Sequence, residues 1–251
     1  MIRIITIGDI PQEYLELIED ISKNFMIDNN IKSYIELIVY SQSLRKKASI
    51  TQEASRIGVS ALGDFIVMHE AWRGYPRIHI DYEEISKLNH TVVKALLIHE
   101  LAHSILHGSP LYYMIRVKKS SLNKYGNNTY IYLYLASLVA KDIDVIAYLK
   151  TKGYYGELLT YAEYVMRDAE SIDCSKLEGL LDLSKILIPY TILGLSIPIE
   201  FLSSECSQVV SKIVLTINDI IESKVDFDDR IDLILERLSE IFDTIISTFK
   251  H

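Results

Sequence analysis

The chain has 251 residues, of which 49% are hydrophobic, and its formal net charge at pH 7 is −8. This length and apolar content are sufficient to bury a full hydrophobic core, which excludes a wholly disordered chain. The acidic balance argues against a nucleic-acid-binding surface. We expect the short basic clusters at residues 45–47 and 118–119 to lie in solvent rather than to reverse this conclusion.

The sequence contains no membrane segment or disulfide framework. Cys174 and Cys206 are the two cysteines, and neither stands in a cluster of possible metal ligands. The apolar N-terminus is too short for a signal peptide. The uncharged run over residues 186–199 is shorter than the roughly 20 residues that cross a bilayer. We therefore expect a cytoplasmic protein that does not associate with membranes.

Strand and helix patterns alternate in the first part of the chain. Apolar residues at helical spacing follow an initial strand, and alternating or continuous apolar runs predict further strands. The predicted elements, in order, are a strand over residues 1–9, a helix over 11–25, a strand over 34–40, a turn-rich loop over 54–63, and strands over 65–69 and 77–81.

The next predicted helix carries the most specific chemical signal, His99, Glu100 and His103 in the pattern His-Glu-x-x-His. Residues four apart lie on one face of a helix, so the two imidazoles can bind one tetrahedral zinc ion. The adjacent glutamate need not bind the metal. It can act as general base toward a water that zinc has made acidic.

The context of this motif is a helix that is apolar on most sides over residues 92–106. Asn89 or Thr91 can cap its start, and Gly108 followed by Pro110 ends it. Imidazole and carboxylate groups are costly in such a helix without partners. The structural alternative is a pair of hydrogen-bonded core histidines with the glutamate pointing to solvent.

His107 continues the four-residue spacing, but it lies about 12 Å along the helix axis from His99, too far to share one zinc. We interpret it as a last-turn imidazole beside free helix carbonyls, or as a group behind the ligands or near the substrate. Leu106 and Ser109 replace the glycine and third histidine of the longer metzincin pattern, which excludes that family.

The remainder of the chain is predicted to be mostly helical. Residues 111–128 have the composition of a surface segment, and residues 129–150 predict a long helix. Further helical stretches follow, with breaks predicted near Pro189, Pro198 and residues 226–229.

A small mixed sheet followed by a His-Glu-x-x-His helix resembles the zincin metallopeptidases, in particular the gluzincins and the compact, cytosolic minigluzincins. The resemblance covers about residues 1–150, and its specific motif is residues 99–103. It implies an α+β fold, with a zincin-like metallopeptidase domain over 1–150 and a helical C-terminal subdomain over 151–251. It also implies an edge strand that holds an extended peptide, for which residues 77–81 are the candidate; an ordinary sheet strand is the alternative.

Gluzincins take a third zinc ligand from a downstream helix, and this chain departs from their Glu-x-x-x-Asp pattern. Asp142 and Asp144 stand there instead, and residues two apart on a helix point in nearly opposite directions. Asp142 lies within the apolar stripe of its helix and is the preferred third ligand, with Asp144 as the alternative; a later acid such as Glu157 or Glu163 also stays open. An ion pair with lysine or arginine is the structural alternative for Asp142.

We therefore expect a cytoplasmic zinc metallopeptidase that cleaves a peptide or protein substrate, with Glu100 as general base and His99, His103 and Asp142 as zinc ligands. A donor to the transition state is expected among the tyrosines between positions 148 and 164 or at Arg167. The alternative function is a non-catalytic zinc-binding protein with a zincin-like fold that acts as an interaction module. The sequence indicates neither the substrate nor the oligomeric state.

Overall fold

The computed structural model describes residues 1–58 and 65–249, and in them the chain forms four strands and ten α-helices. The strands are β1 (Ile2–Ile7), β2 (Ile35–Tyr40), β3 (Val67–Glu70) and β4 (Arg77–Asp81). The helices are α1 (Gln12–Asp28), α2 (Ser43–Ile57), α3 (Tyr82–Ile85), α4 (His90–Leu106), α5 (Lys119–Tyr125), α6 (Thr129–Thr151), α7 (Tyr155–Met166), α8 (Leu177–Leu193), α9 (Ser204–Ser223) and α10 (Phe227–Phe249). The fold is α+β, as predicted, with a small mixed sheet and a mostly helical remainder.

The chain divides into two compact units, Met1–Met114 and Ile115–His251. The first unit contains the four strands and helices α1 to α4, and the second contains helices α5 to α10. The predicted division into a catalytic domain over 1–150 and a helical subdomain over 151–251 stays a prediction.

The sheet has the strand order β1-β2-β4-β3. β1 pairs in parallel with β2, and β2 pairs in parallel with β4, whereas β3 runs antiparallel to β4. The expectation that residues 77–81 form a sheet edge was therefore wrong, because β4 lies between two partners and all five of its residues are buried. β3 is the edge strand on that side.

A buried polar cluster on one face of β4 explains why its sequence resembles that of a half-exposed strand. Arg77 forms ion pairs with Glu53 of α2 and Glu70 of β3. His79 Nε2 lies 3.2 Å from Glu70 Oε1, and its Nδ1 lies 2.9 Å from the hydroxyl of Tyr40. Burial alone would lower the pKa of Arg77. The contacts with the two glutamates have the larger effect, so this pKa lies above its ordinary value. Paired charges allow these polar residues to lie inside.

The sequence analysis did not predict helix α2. The loop that it predicted over residues 54–63 overlaps the last turn of this helix. Residues 59–63 of that loop lie outside the described residues. The buried positions of α2 are Lys46, Ile50 and Ala54, so a lysine occupies one position of the apolar stripe. Lys46 Nζ reaches the buried Asp81, 3.1 Å from Oδ2. The sequence analysis expected the basic cluster at residues 45–47 to lie in solvent, and this expectation was wrong for Lys46.

In the second unit, α6 packs against α8 and α10. The predicted helix over 129–150 agrees with α6 to within one residue. Pro189 does not break the chain; it lies within α8. The breaks near Pro198 and residues 226–229 are present, since neither α8 nor α9 extends across them. Among the described residues, every helix is too short or too polar to cross a bilayer.

Cys174 and Cys206 form a disulfide that joins the segment before α8 to the first turn of α9. The sequence was expected to lack a disulfide framework, and one bridge does form. Disulfides are rare in the reducing cytoplasm, so this bridge removes the support that the cysteine count gave to a cytoplasmic location, which stays a prediction.

Candidate metal centre

Helix α4 of the first unit carries the His-Glu-x-x-His motif, and both histidines of the motif are buried. The side chain of Asn89 accepts a hydrogen bond from the backbone N–H of Val92 at 2.9 Å, so Asn89 caps the helix. The helix packs against α1 and against strands β3 and β4. Most of its apolar residues are buried, as the sequence pattern predicted.

The imidazoles of His99 and His103 are buried, at 3% and 8% exposure, and their Nε2 atoms lie 3.1 Å apart. Two nitrogens bound to one tetrahedral zinc at about 2.05 Å lie about 3.3 Å apart. The facing Nε2 atoms therefore have a separation that fits a shared zinc ion. Without a metal, the same pair is a hydrogen bond between the two rings.

The three predicted zinc ligands, His99, His103 and Asp142, are all buried, and each offers one atom that could bind a metal ion. Two imidazoles with one carboxylate are a donor set that zinc accepts in catalytic sites. Asp142 Oδ2 lies 3.7 Å from Lys185 Nζ. The ion pair considered as the structural alternative for Asp142 is thus present, and its role as third ligand stays a prediction.

The other downstream acids have different surroundings. Asp144 forms an ion pair with Arg230 of α10, with 2.5 Å between Oδ1 and Nη1. Glu157 and Glu163 lie on α7, and their role as alternative ligands stays a prediction. Lys141 is buried and precedes Asp142 in the sequence. Burial lowers the pKa of the Lys141 ammonium group to about 8, although the negative charge of Asp142 acts to raise that pKa.

Glu100 contacts the edge strand of the sheet. Its Oε2 accepts a hydrogen bond from the backbone N–H of His69 in β3, at 2.9 Å. The carboxylate is half-buried, so it does not simply point to solvent as the structural alternative required. This hydrogen bond holds one carboxylate oxygen of Glu100 at the border between α4 and β3.

His69 is a residue of this site that the sequence analysis missed. Its ring stacks on that of His103, with ring centroids 5.9 Å apart and an interplanar angle of 12°. Its Nδ1 lies 3.0 Å from the hydroxyl of Tyr113, and the ring of Trp72 packs edge-on against Tyr113. An imidazole and a phenol thus lie beside the motif. The available signal was a histidine in the strand that became the sheet edge.

His107 is the C-cap residue of α4 and is 1% exposed. Its Nδ1 lies 3.1 Å from Nδ1 of His103, on the side of that ring opposite to the Nε2 that faces His99. Arg167, one of the predicted transition-state donors, lies at the C-cap of α7 with its guanidinium over the ring of Tyr164.

The sequence matches no protein-family model, and no curated protein or solved structure is significantly similar to it. The resemblance to zincins therefore depends on the motif and on the geometry of its side chains.

Proposed function

We propose that this protein is a zinc-dependent metallopeptidase in which His99, His103 and Asp142 bind the metal and Glu100 is the general base. The observation that carries the proposal is the pair of buried Nε2 atoms, 3.1 Å apart, on the helix that also presents Glu100. A zinc ion bound by these residues would supply an acidic water and polarise a peptide carbonyl.

Glu100 moves protons in this mechanism. The N–H of His69 holds Oε2 of this side chain, and the carboxylate takes a proton from the attacking water. The same carboxyl group then gives that proton to the departing amine. A hydrogen bond from a strand backbone restricts rotation of the side chain, so the base is oriented before the substrate binds.

The edge of β3 is the surface that fits an extended peptide. The N–H of Asp81 bonds to the carbonyl of Ile66, so Val67 and His69, in the alternate positions, direct their backbone groups away from β4. The N–H of His69 already bonds to Glu100, so Val67 is the residue of this edge whose backbone a substrate strand would pair with through main-chain hydrogen bonds. This proposal gives β3 the role that the resemblance implied for residues 77–81.

The test of this function is Glu100→Gln, assayed for zinc content and for cleavage of a quenched-fluorescent peptide library. We expect the variant to keep its zinc and to lose about 10²- to 10⁴-fold in activity, because an amide cannot accept the proton. Glu222→Gln, which changes an exposed glutamate of α9, is the matched control. Activity of Glu100→Gln within threefold of the wild type would refute the mechanism.

A wild-type chain that binds zinc but cleaves none of the peptides would support the alternative function. In that case the motif would hold a metal for folding or for binding a partner, as in a non-catalytic interaction module.

A further inference from the structure

The contact between His103 and His107 determines which nitrogen of each ring carries a proton. The two Nδ1 atoms are 3.1 Å apart, and both side chains are buried. A hydrogen bond at that distance needs one protonated Nδ1 and one Nδ1 with a lone pair. The two rings therefore cannot choose their tautomers independently.

Metal binding decides the direction of this hydrogen bond. The Nε2 of His103 faces the Nε2 of His99, so Nε2 is the atom that His103 offers to a metal. A neutral imidazole that binds metal through Nε2 carries its proton on Nδ1. That proton points at His107, whose Nδ1 must then be the acceptor.

The chain that follows α4 holds His107 in place. The ring of Tyr112 packs edge-on against the His107 ring, with centroids 4.8 Å apart. The next residue, Gly108, packs closely against the last turn of α4. A Cβ at that position would lie 2.4 Å from the carbonyl oxygen of Ser104, so glycine is required there. The backbone N–H of His107 also bonds to the carbonyl of His103 at 2.7 Å.

We infer that His107 is a positioning residue for the metal centre, which accepts the Nδ1–H of His103 and so presents the Nε2 lone pair of His103 to zinc. This inference rests on the proposed function. His107 touches neither metal nor substrate in this role. It fixes the tautomer and the ring orientation of a ligand, a task that carboxylates and backbone carbonyls commonly perform in zinc sites.

The test compares His107→Asn with His107→Gln by the affinity of each purified chain for Zn²⁺, measured by competition with a chromogenic chelator. Asparagine can place its Oδ1 where histidine has Nδ1, whereas the glutamine amide corresponds in position to Nε2. We expect the asparagine variant to bind zinc within about threefold of the wild type and the glutamine variant to bind 10- to 100-fold more weakly. His90→Gln, at the exposed start of the same helix, is the matched control.

Circular dichroism of the metal-free chains identifies a variant that fails to fold. If this is the glutamine variant, His107→Ser replaces it, because the serine side chain ends before the position of Nδ1, and the same weakening of zinc binding is expected. Wild-type affinity in the glutamine variant would overturn the inference, as would equal weakening by asparagine and glutamine. Failure of the wild type itself to bind zinc is a different result, which would refute the proposed function as well.

Discussion

Single residues of the metal centre differ in how far the sequence predicts them. His99, Glu100 and His103 were identified because helical spacing alone places two imidazoles one turn apart. Asp142 was preferred over Asp144 because its position lies in an apolar stripe; Asp142 is buried, and its role as third ligand stays a prediction. His69 was missed because its contact with Glu100 depends on how the sheet packs on α4, which no local pattern encodes.

The sequence analysis did not count His107 as a zinc ligand, because two helical turns separate it from His99, and this exclusion stays a prediction. The contact of His107 with Nδ1 of His103 was one of several roles that the sequence left open. Choosing among these roles requires the orientations of the imidazole rings of His103 and His107. A side chain at the position of His107 can turn toward His103, toward solvent or toward the helix carbonyls.

At the scale of elements, helices and strands with a regular apolar pattern were predicted well, whereas elements that mix apolar and charged residues were not. β1, α1, β2, β4, α4 and α6 all appear near their predicted positions. β4 was placed at an edge because of the resemblance to zincins, whereas α2 was missed because a lysine interrupts its apolar stripe. Both elements bury charged residues whose partners come from distant parts of the chain, such as Lys46 with Asp81. Sequence patterns treat such charges as exposed.

Glu53 provides a pH test of the contact between α2 and β4. Burial raises the pKa of this carboxyl group, but hydrogen bonds from Arg77 and Arg73 outweigh burial and hold the pKa below its ordinary value. A carboxyl group whose pKa is lower in the folded state than in the unfolded state stabilises the fold when it is ionised. This stability is fully present above the unfolded pKa of about 4.3, and it is lost as the pH falls through the pKa of the folded state.

We therefore expect the free energy of unfolding to fall as the pH is lowered from about 5 to 3, and to fall less steeply in Glu53→Gln. Urea unfolding at a series of pH values measures both slopes. Glu222→Gln removes an exposed carboxylate and controls for the change in net charge. Identical slopes in Glu53→Gln and the wild type would show that these ion pairs do not stabilise the fold.

At the scale of the whole molecule, the sequence predicted an α+β chain with a helical C-terminal part, but not how the later helices pack. Residues 157–251 contain several amphipathic segments of similar pattern, and periodicity does not say which of them are neighbours. The disulfide between Cys174 and Cys206 was equally hidden, since a pairing depends on the distance between two segments in the fold.

This disulfide closes a segment with a sequence separation of 32, so it restricts the unfolded state of the second unit. We expect the double variant Cys174→Ser, Cys206→Ser to lower the free energy of unfolding of that unit by about 3–4 kcal/mol. Hydrogen exchange of peptides from α8 and α9 measures the change. A loss below about 1 kcal/mol would show that the bridge contributes little to stability.

The metal content of the wild-type chain tests the central claim most directly. Elemental mass spectrometry is applied to protein purified without chelator and without added metal, beside His103→Ala. The proposed site predicts about one zinc ion per wild-type chain and its loss in the variant. A folded wild-type chain without metal that also fails to bind added zinc would contradict the account, and His99 and His103 would then be a hydrogen-bonded pair of core histidines.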